Sequence, residues 1–172
     1  MGRARFFGNF VHSVDTKGRV AVPVGYRKKL APDEDTFVLV PGRDQAIEVR
    51  LVRDWEEYER QILENQPEYA PETLRSKRYL YSRSAEVSLD SQGRLLLPRH
   101  LLEEAEITTE AVIAGMGSFF ELWNPERYRA FIAEERQRYD TDRNAAARHG
   151  WEAGRNRTNA DDRNVPHSGD GR

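Results

Sequence analysis

Two arginines in this chain occupy the same place in the same short pattern. Arg19 closes "VDTKGR", Val14 to Arg19, and Arg94 closes "LDSQGR", Leu89 to Arg94, with an aliphatic run and a proline behind each, "VAVP" and "LLLP". A guanidinium carries a planar fork of donors that fits a phosphate or the O6 and N7 edge of guanine. Asp15 and Asp90, four residues earlier in each copy, can hold that fork in one orientation. A single such pair is equally an ordinary surface ion pair, worth about 0 to 1 kcal/mol. Two copies at matching places ask for more.

Charge supports a shared role. Between Met1 and Leu30 there are seven basic residues (Arg3, Arg5, Lys17, Arg19, Arg27, Lys28, Lys29) against Asp15 alone. Around the second copy, Arg75, Lys77, Arg78, Arg83, Arg94 and Arg99 face only Glu86 and Asp90. The whole chain of 172 residues nevertheless has a net charge of −2. Both copies therefore sit in positive stretches of a slightly acidic chain, the pattern expected where a polyanion meets a defined surface. The other reading is a solvated charge mosaic.

The residues around each arginine belong to a turn. In Asp-x-x-Gly between two strands, the carboxylate is expected to accept hydrogen bonds from backbone N–H groups two and three residues on, while glycine takes a positive φ. That assigns Asp15, Gly18, Asp90 and Gly93 to shaping the turns. Alternation along the strand puts Val20 and Val22 on one face with Arg19 and Ala21 on the other, and separates Leu95 and Leu97 from Arg94 in the same way. The arginines thus face away from the apolar side. A β-hairpin is slim enough to enter a major groove.

Each turn lies within a whole repeated unit. The first copy predicts a strand over 6–14, the turn, a strand over 19–22 and a short helix over 25–30; strands "TFVLVP" and "AIEVRLV" follow, then a helix from Asp54. The second copy runs "AEVSL", turn, "RLLLP", a helix over 99–105, "EAVIAG", "FFELW" and a helix from Asn124. One supersecondary unit is used twice. Asp54 is expected to cap its helix with Glu57 as capping-box partner, and Trp55, Tyr58 and Ile62 to share its buried face. Asn124 is expected to cap the last helix, with Pro125 at its first position and Tyr128, Phe131 and Ile132 as its stripe. Residues 67–84 read as a helical linker with Leu74, Arg78 and Tyr81 on one side, and residues 140–172, polar apart from Trp151, as a disordered tail. A hairpin has little core of its own, so interleaving of the two copies would bury more apolar surface than either alone.

Other functions find little support. There is no cysteine, so disulfides and thiolate chemistry are excluded. The four histidines, His12, His100, His149 and His167, have no metal-ligand spacing, and neither a nucleophile elbow nor a Walker loop occurs. "GMGSFF" lacks the third glycine of a dinucleotide loop and leads into a strand where a helix is needed. No catalytic residue, metal, cofactor or small-molecule substrate is expected. No apolar run approaches the roughly 18 residues of a membrane span, so the chain reads as soluble and not secreted.

Taken together, "FFGNFVHSVDTKGRVAVPVGYRKKL", "SRSAEVSLDSQGRLLLPRHLLEEA" and "FFELWNPERY" resemble the MraZ family of bacterial transcriptional regulators, over about residues 6–139. The resemblance implies an α+β fold: two tandem copies of a swapped-hairpin, AbrB-like β-barrel unit with short flanking helices, 6–66 and 85–139. It also implies a homo-oligomeric ring, in the cytoplasm and associated with the nucleoid, that binds short direct repeats in double-stranded DNA upstream of its own division and cell-wall gene cluster and commonly represses it. Carried over residue by residue, Asp15 and Arg19 match the first motif, Asp90 and Arg94 the second, and Lys17 the basic residue inside the turn. Gln92 stands in Lys17's place in the second turn, where phosphate contact should be weaker although a base edge can still be bonded. Arg3 and Arg5 lie before the matched region, where the readings are added phosphate contacts or, as is commoner at a terminus, fraying. An AbrB-like antitoxin or protein-interaction module is the alternative, and a DNA binder without sequence preference is another.

Overall fold

In the computed structural model, residues 3–67, 69–136, 138, 139 and 141 are described. The strands are β1 (Asn9–Ser13), β2 (Arg19–Ala21), β3 (Thr36–Pro41), β4 (Ile47–Leu51), β5 (Ala85–Ser88), β6 (Arg94–Leu96), β7 (Glu110–Gly115) and β8 (Phe120–Trp123). Helices α1 (Val24–Arg27), α2 (Val52–Tyr58), α3 (Pro71–Arg83) and α4 (Arg99–Glu104) lie between them, and α5 begins at residue 125. The chain divides into two units after Tyr128; the described strands all fall in the first, and the described residues of the second include 129–136 of α5 and an Arg138–Glu134 ion pair. Among the described residues no helix is long and apolar enough to cross a membrane.

The two copies interleave. The larger sheet has the order β1-β7-β8-β4-β3-β5, and β2 pairs with β6 in a separate two-stranded ribbon. The first copy's β1 therefore pairs antiparallel with the second copy's β7, Val11 opposite Val112, and the second copy's β5 pairs with β3, Phe37 opposite Val87. Strands β1 and β2 meet each other at the Val14–Val20 bridge. The architecture is mixed α+β with two interleaved repeats; the six-stranded sheet runs between edge strands β1 and β5.

Apolar runs explain which faces are covered. In β3, Phe37 and Leu39 enter the main core while Val38 and Val40 enter a second cluster with Trp55 and Leu63, backed by Leu80 of α3. A strand buried on both faces needs a continuous apolar run, and "FVLV" supplies it. The main core is centred on an aromatic group: Phe6 lies 5.0 Å from Tyr26 and 5.3 Å from Phe120 between ring centroids, and Phe120 lies 5.8 Å from Phe37. Val20, Val22, Leu95 and Leu97 close it beneath the ribbon.

Several local expectations are corrected. Helix α2 starts at Val52, with Leu51 in the cap position and no side-chain cap, so Asp54 is a buried residue of the first turn and not the cap. Its face is shifted too. Glu64 N–H bonds to the Glu59 carbonyl at 2.9 Å in a π turn over Glu59–Leu63, and this wider turn carries Leu63 inward, 7% exposed, where Ile62 was expected and is 48% exposed. In α3 the inward residues are Thr73 and Leu80, while Arg78 and Tyr81 are exposed and Leu74 is half-buried. Tyr81 nonetheless reaches the Trp55 ring, 6.4 Å between centroids. The Asn124 cap forms as expected, its side-chain oxygen accepting from Glu126 N–H at 2.9 Å and Arg127 N–H at 3.2 Å; Tyr128 packs on Trp123, but Ile132 is exposed. Residues 3–8 are docked, not frayed: Ala4 and Phe6 are buried, Phe6 exchanges backbone hydrogen bonds with Gly117, and the Tyr26 hydroxyl donates to the Phe7 and Gly8 carbonyls. Burial pushes that hydroxyl's pKa up to about 12. The expectation for 140–172 falls outside the described residues apart from 141.

Candidate nucleic-acid interface

The two Asp-x-x-Gly-Arg turns are built alike, bond for bond. In the first, Asp15 Oδ1 accepts from the backbone N–H of Lys17 and of Arg19, both at 2.9 Å, and Asp15 Oδ2 accepts from Arg19 Nε at 2.7 Å. In the second, Asp90 Oδ1 accepts from the backbone N–H of Gln92 and of Arg94, both at 2.9 Å, and Asp90 Oδ2 accepts from Arg94 Nε at 2.8 Å. The carboxylate thus bonds N–H groups two and four residues on, where two and three were expected. The third N–H, that of Gly18 or Gly93, closes the turn on the aspartate's own carbonyl at 2.9 and 2.8 Å. Both glycines sit at positive φ, +82° and +72°, which L side chains rarely adopt.

These bonds set the charge state. The Arg19 N–H first, then its side chain and the Lys17 N–H, hold the Asp15 carboxyl below its ordinary value against a smaller opposing effect of burial. Asp90 is lowered by the same agents from Arg94 and Gln92. Each arginine is therefore oriented by a carboxylate that stays ionised at neutral pH.

The interleaving expected from the small core of a single hairpin brings the two turns together in one ribbon. In the ribbon, Arg19 is opposite Leu96, Val20 opposite Leu95 and Ala21 opposite Arg94. Leu97 N–H donates to the Gly18 carbonyl at 2.9 Å and Val22 N–H to the Gly93 carbonyl at 3.0 Å, so each turn is tied to the other copy's strand. An approximate twofold passes through the Val20–Leu95 pair. Across it, Arg94 Nη1 comes within 4.0 Å of Asp15 Oδ2. Arg94 is the more constrained arginine, since Nε and Nη2 both face Asp90 and Nη1 faces Asp15; Arg19 is held at Nε.

The ribbon's inner face is wholly buried through Val20 and Leu95, and its outer face carries Arg19, Ala21, Arg94 and Leu96. Lys17 and Gln92 are exposed at the turn tips. Two contributors went unseen in the sequence. Arg27 of α1 lies against the second turn, Nε donating to the Val22 carbonyl at 3.0 Å, and leaves no room for a side chain at Gly93. Leu96 is 53% exposed at the end of β6 on the outer face, opposite Arg19. Alternation from Leu95 would have placed Leu96 outside; nothing in the sequence links Arg27 to Gly93.

Comparison with known proteins decides the family. The model described as "MraZ protein, putative antitoxin-like" matches residues 6–77 and again 80–149. The chain belongs to the MraZ family. A transcriptional regulator MraZ of Roseiflexus castenholzii is 39% identical over 128 residues, covering 74% of this chain and 87% of the relative. One from Alkaliphilus oremlandii is 33% identical over 139 residues, 78% and 92%. One from Mycoplasmoides gallisepticum is 34% identical over 126 residues, 73% and 86%. MraZ family membership thus covers both copies of the turn.

Proposed function

We propose that this chain is a sequence-specific DNA-binding regulator of transcription whose β2–β6 ribbon is the reading element. The observation that carries the reading is the pairing of the two turns, which sets Arg19 and Arg94 on one outward face, each oriented by an ionised aspartate. Relatives named as transcriptional regulators support it. Arg19, Lys17 and Arg94 contact phosphate or guanine, Gln92 bonds a base edge, and Asp15, Gly18, Asp90 and Gly93 hold the turns in shape. A ribbon is narrow enough for the major groove.

The family resemblance extends the proposal. The target is a set of short direct repeats in the promoter of the chain's own division and cell-wall gene cluster, and occupancy represses it. Copies of the chain assemble as a ring, so several ribbons engage successive repeats and weak single contacts add through effective concentration. The test is a footprint on DNA upstream of the chain's gene, with mass measured by light scattering. Protected segments recurring head to tail, bound by a multimer, are expected. A monomer with no protection on that DNA would overturn the reading.

The family description's "antitoxin-like" favours one second reading, neutralisation of a partner protein. A chain cut to residues 1–139 separates the two, since a partner held through the tail would be lost while DNA binding by the ribbon would persist.

A further inference from the structure

Leu96 is out of keeping with its surroundings. The core beneath the ribbon is complete without it, because Val20, Val22, Leu95 and Leu97 are all buried on the other face. A singly exposed leucine is ordinary surface. This one, however, lies directly opposite Arg19 and two residues after Arg94 on the same face. It also forms the wall of a groove of about 480 Å³ running past Lys17, Leu97, Pro98, Arg99 and Leu102. An aliphatic group in a setting of Lys17, Arg19, Arg94 and Arg99 is held where a polyanion would be drawn against it.

The chemistry of the DNA edge matches that arrangement. A major groove presents acceptors to cations and one apolar feature, the 5-methyl group of thymine. We propose that Leu96 is a specificity-determining residue that packs against a thymine methyl while the flanking arginines engage guanine or phosphate. The inference rests on the reading of the ribbon as the DNA-facing element.

The twofold partner of Leu96 gives the proposal a second consequence. Arg19 and Arg94 correspond across the ribbon, as do Ala21 and Leu96, and as do Lys17 and Gln92. The backbone and the arginines are nearly symmetric, but the branched side chain is present on one half only. The ribbon therefore reads its site with a direction: the thymine preference falls on one side of the centre, and the site is not a palindrome.

The experiment uses the full chain and DNA from upstream of its gene, made once with thymidine and once with deoxyuridine throughout, which removes only the 5-methyl groups. Fluorescence anisotropy is measured for wild type, Leu96→Ala and the Arg19→Ala, Arg94→Ala double variant. Wild type should bind the deoxyuridine duplex about three- to tenfold more weakly, the scale of one or two buried methyl groups. Leu96→Ala should lose a similar factor on the thymidine duplex and should discriminate little between the two duplexes. Its unchanged melting temperature would show that folding is intact. Leu96→Ala that binds like wild type, or that keeps the full methyl dependence, overturns the proposal. The double variant separates the two levels: if it alone loses binding, only the role of Leu96 falls, and if it too binds like wild type, the ribbon is not the DNA-facing element and both readings fall.

Discussion

Replacing Gly93 by alanine puts a methyl group where the Arg27 side chain already lies. A Cβ built there would stand 2.6 Å from Arg27 Cδ and Nη1 and 2.7 Å from Cζ. The backbone cost comes first: a side chain at φ +72° costs about 1–2 kcal/mol. Arg27 must then swing away and give up its 3.0 Å bond to the Val22 carbonyl, worth about 0.5–1.5 kcal/mol. The sum is about 1.5–3.5 kcal/mol, or a fall of roughly 3–14 °C in melting temperature for a chain of this size. Gly18→Ala meets the same backbone cost at φ +82°, and its neighbours are Leu102 Cδ1 at 3.1 Å and the Leu97 carbonyl oxygen at 3.2 Å, so its loss owes nothing to Arg27. Thermal denaturation of both variants, repeated in an Arg27→Ala background, isolates the contact. The cost of Gly93→Ala should be about 1 kcal/mol smaller in the Arg27→Ala background than in wild type, and the cost of Gly18→Ala the same in both. A Gly93→Ala chain that melts like wild type, or a cost of Gly93→Ala that is the same in both backgrounds, would refute the assignment of that contact.

Other consequences can be checked with the same material. Arg19→Ala should weaken DNA binding more than Arg94→Ala, because Arg94 is committed to Asp90 and Asp15 while Arg19 is held at Nε and keeps Lys17 beside it; equal losses in anisotropy would contradict this. Asp15 and Asp90 have folded values below the ordinary carboxylate range, so their stabilisation is present above about pH 4 and lost as pH falls through the folded values. The fall in melting temperature below about pH 4 should shrink in the Asp15→Asn, Asp90→Asn variant. Asp54 is 5% exposed, its oxygens lack hydrogen bonds, Arg3 Nε is 3.8 Å away, and burial raises its carboxyl above the ordinary value. The charged form is then a burden at neutral pH, so Asp54→Asn should raise the melting temperature at pH 7 and the gain should vanish as pH approaches the ordinary carboxylate range; a loss at pH 7 would show that the Arg3 contact outweighs burial. Gly115→Ala would place a Cβ 2.5 Å from the Phe6 backbone and should lift residues 3–8, exposing them to limited proteolysis that wild type resists.

A feature of this fold is legible in the sequence when it is local and hidden when it is relational. The turns were legible because Asp and Gly at fixed spacing specify their own hydrogen bonds, and the outward placement of Arg19 and Arg94 followed from alternation by two. The strand runs "TFVLVP" and "EAVIAG" emerged with the same bounds for the same reason. Asn124 was readable as a cap because its partners lie two and three residues on. Asp54 misled because its type suits a cap, but β4 runs directly into α2 at Leu51 and the helix begins before it. Ile62 misled because a π turn changes the period at that point, and no residue in "ERQIL" announces one. The approach of Arg94 to Asp15 and the seat of Arg27 on Gly93 are products of pairing between copies, so no window along one copy contains them. The docking of residues 3–8 depends likewise on Gly115 and Gly117, more than a hundred positions away.

The central claim, that the paired turns read DNA, is met most directly by fluorescence anisotropy on the duplex upstream of the chain's gene and on a scrambled duplex, at two salt concentrations, for wild type and the Arg19→Ala, Arg94→Ala variant. Tight binding that depends on sequence, lost in the variant together with up to about two units of slope in log affinity against log salt, is the predicted result. Binding that is indifferent to sequence and to both arginines would contradict it and return the turns to scaffolding.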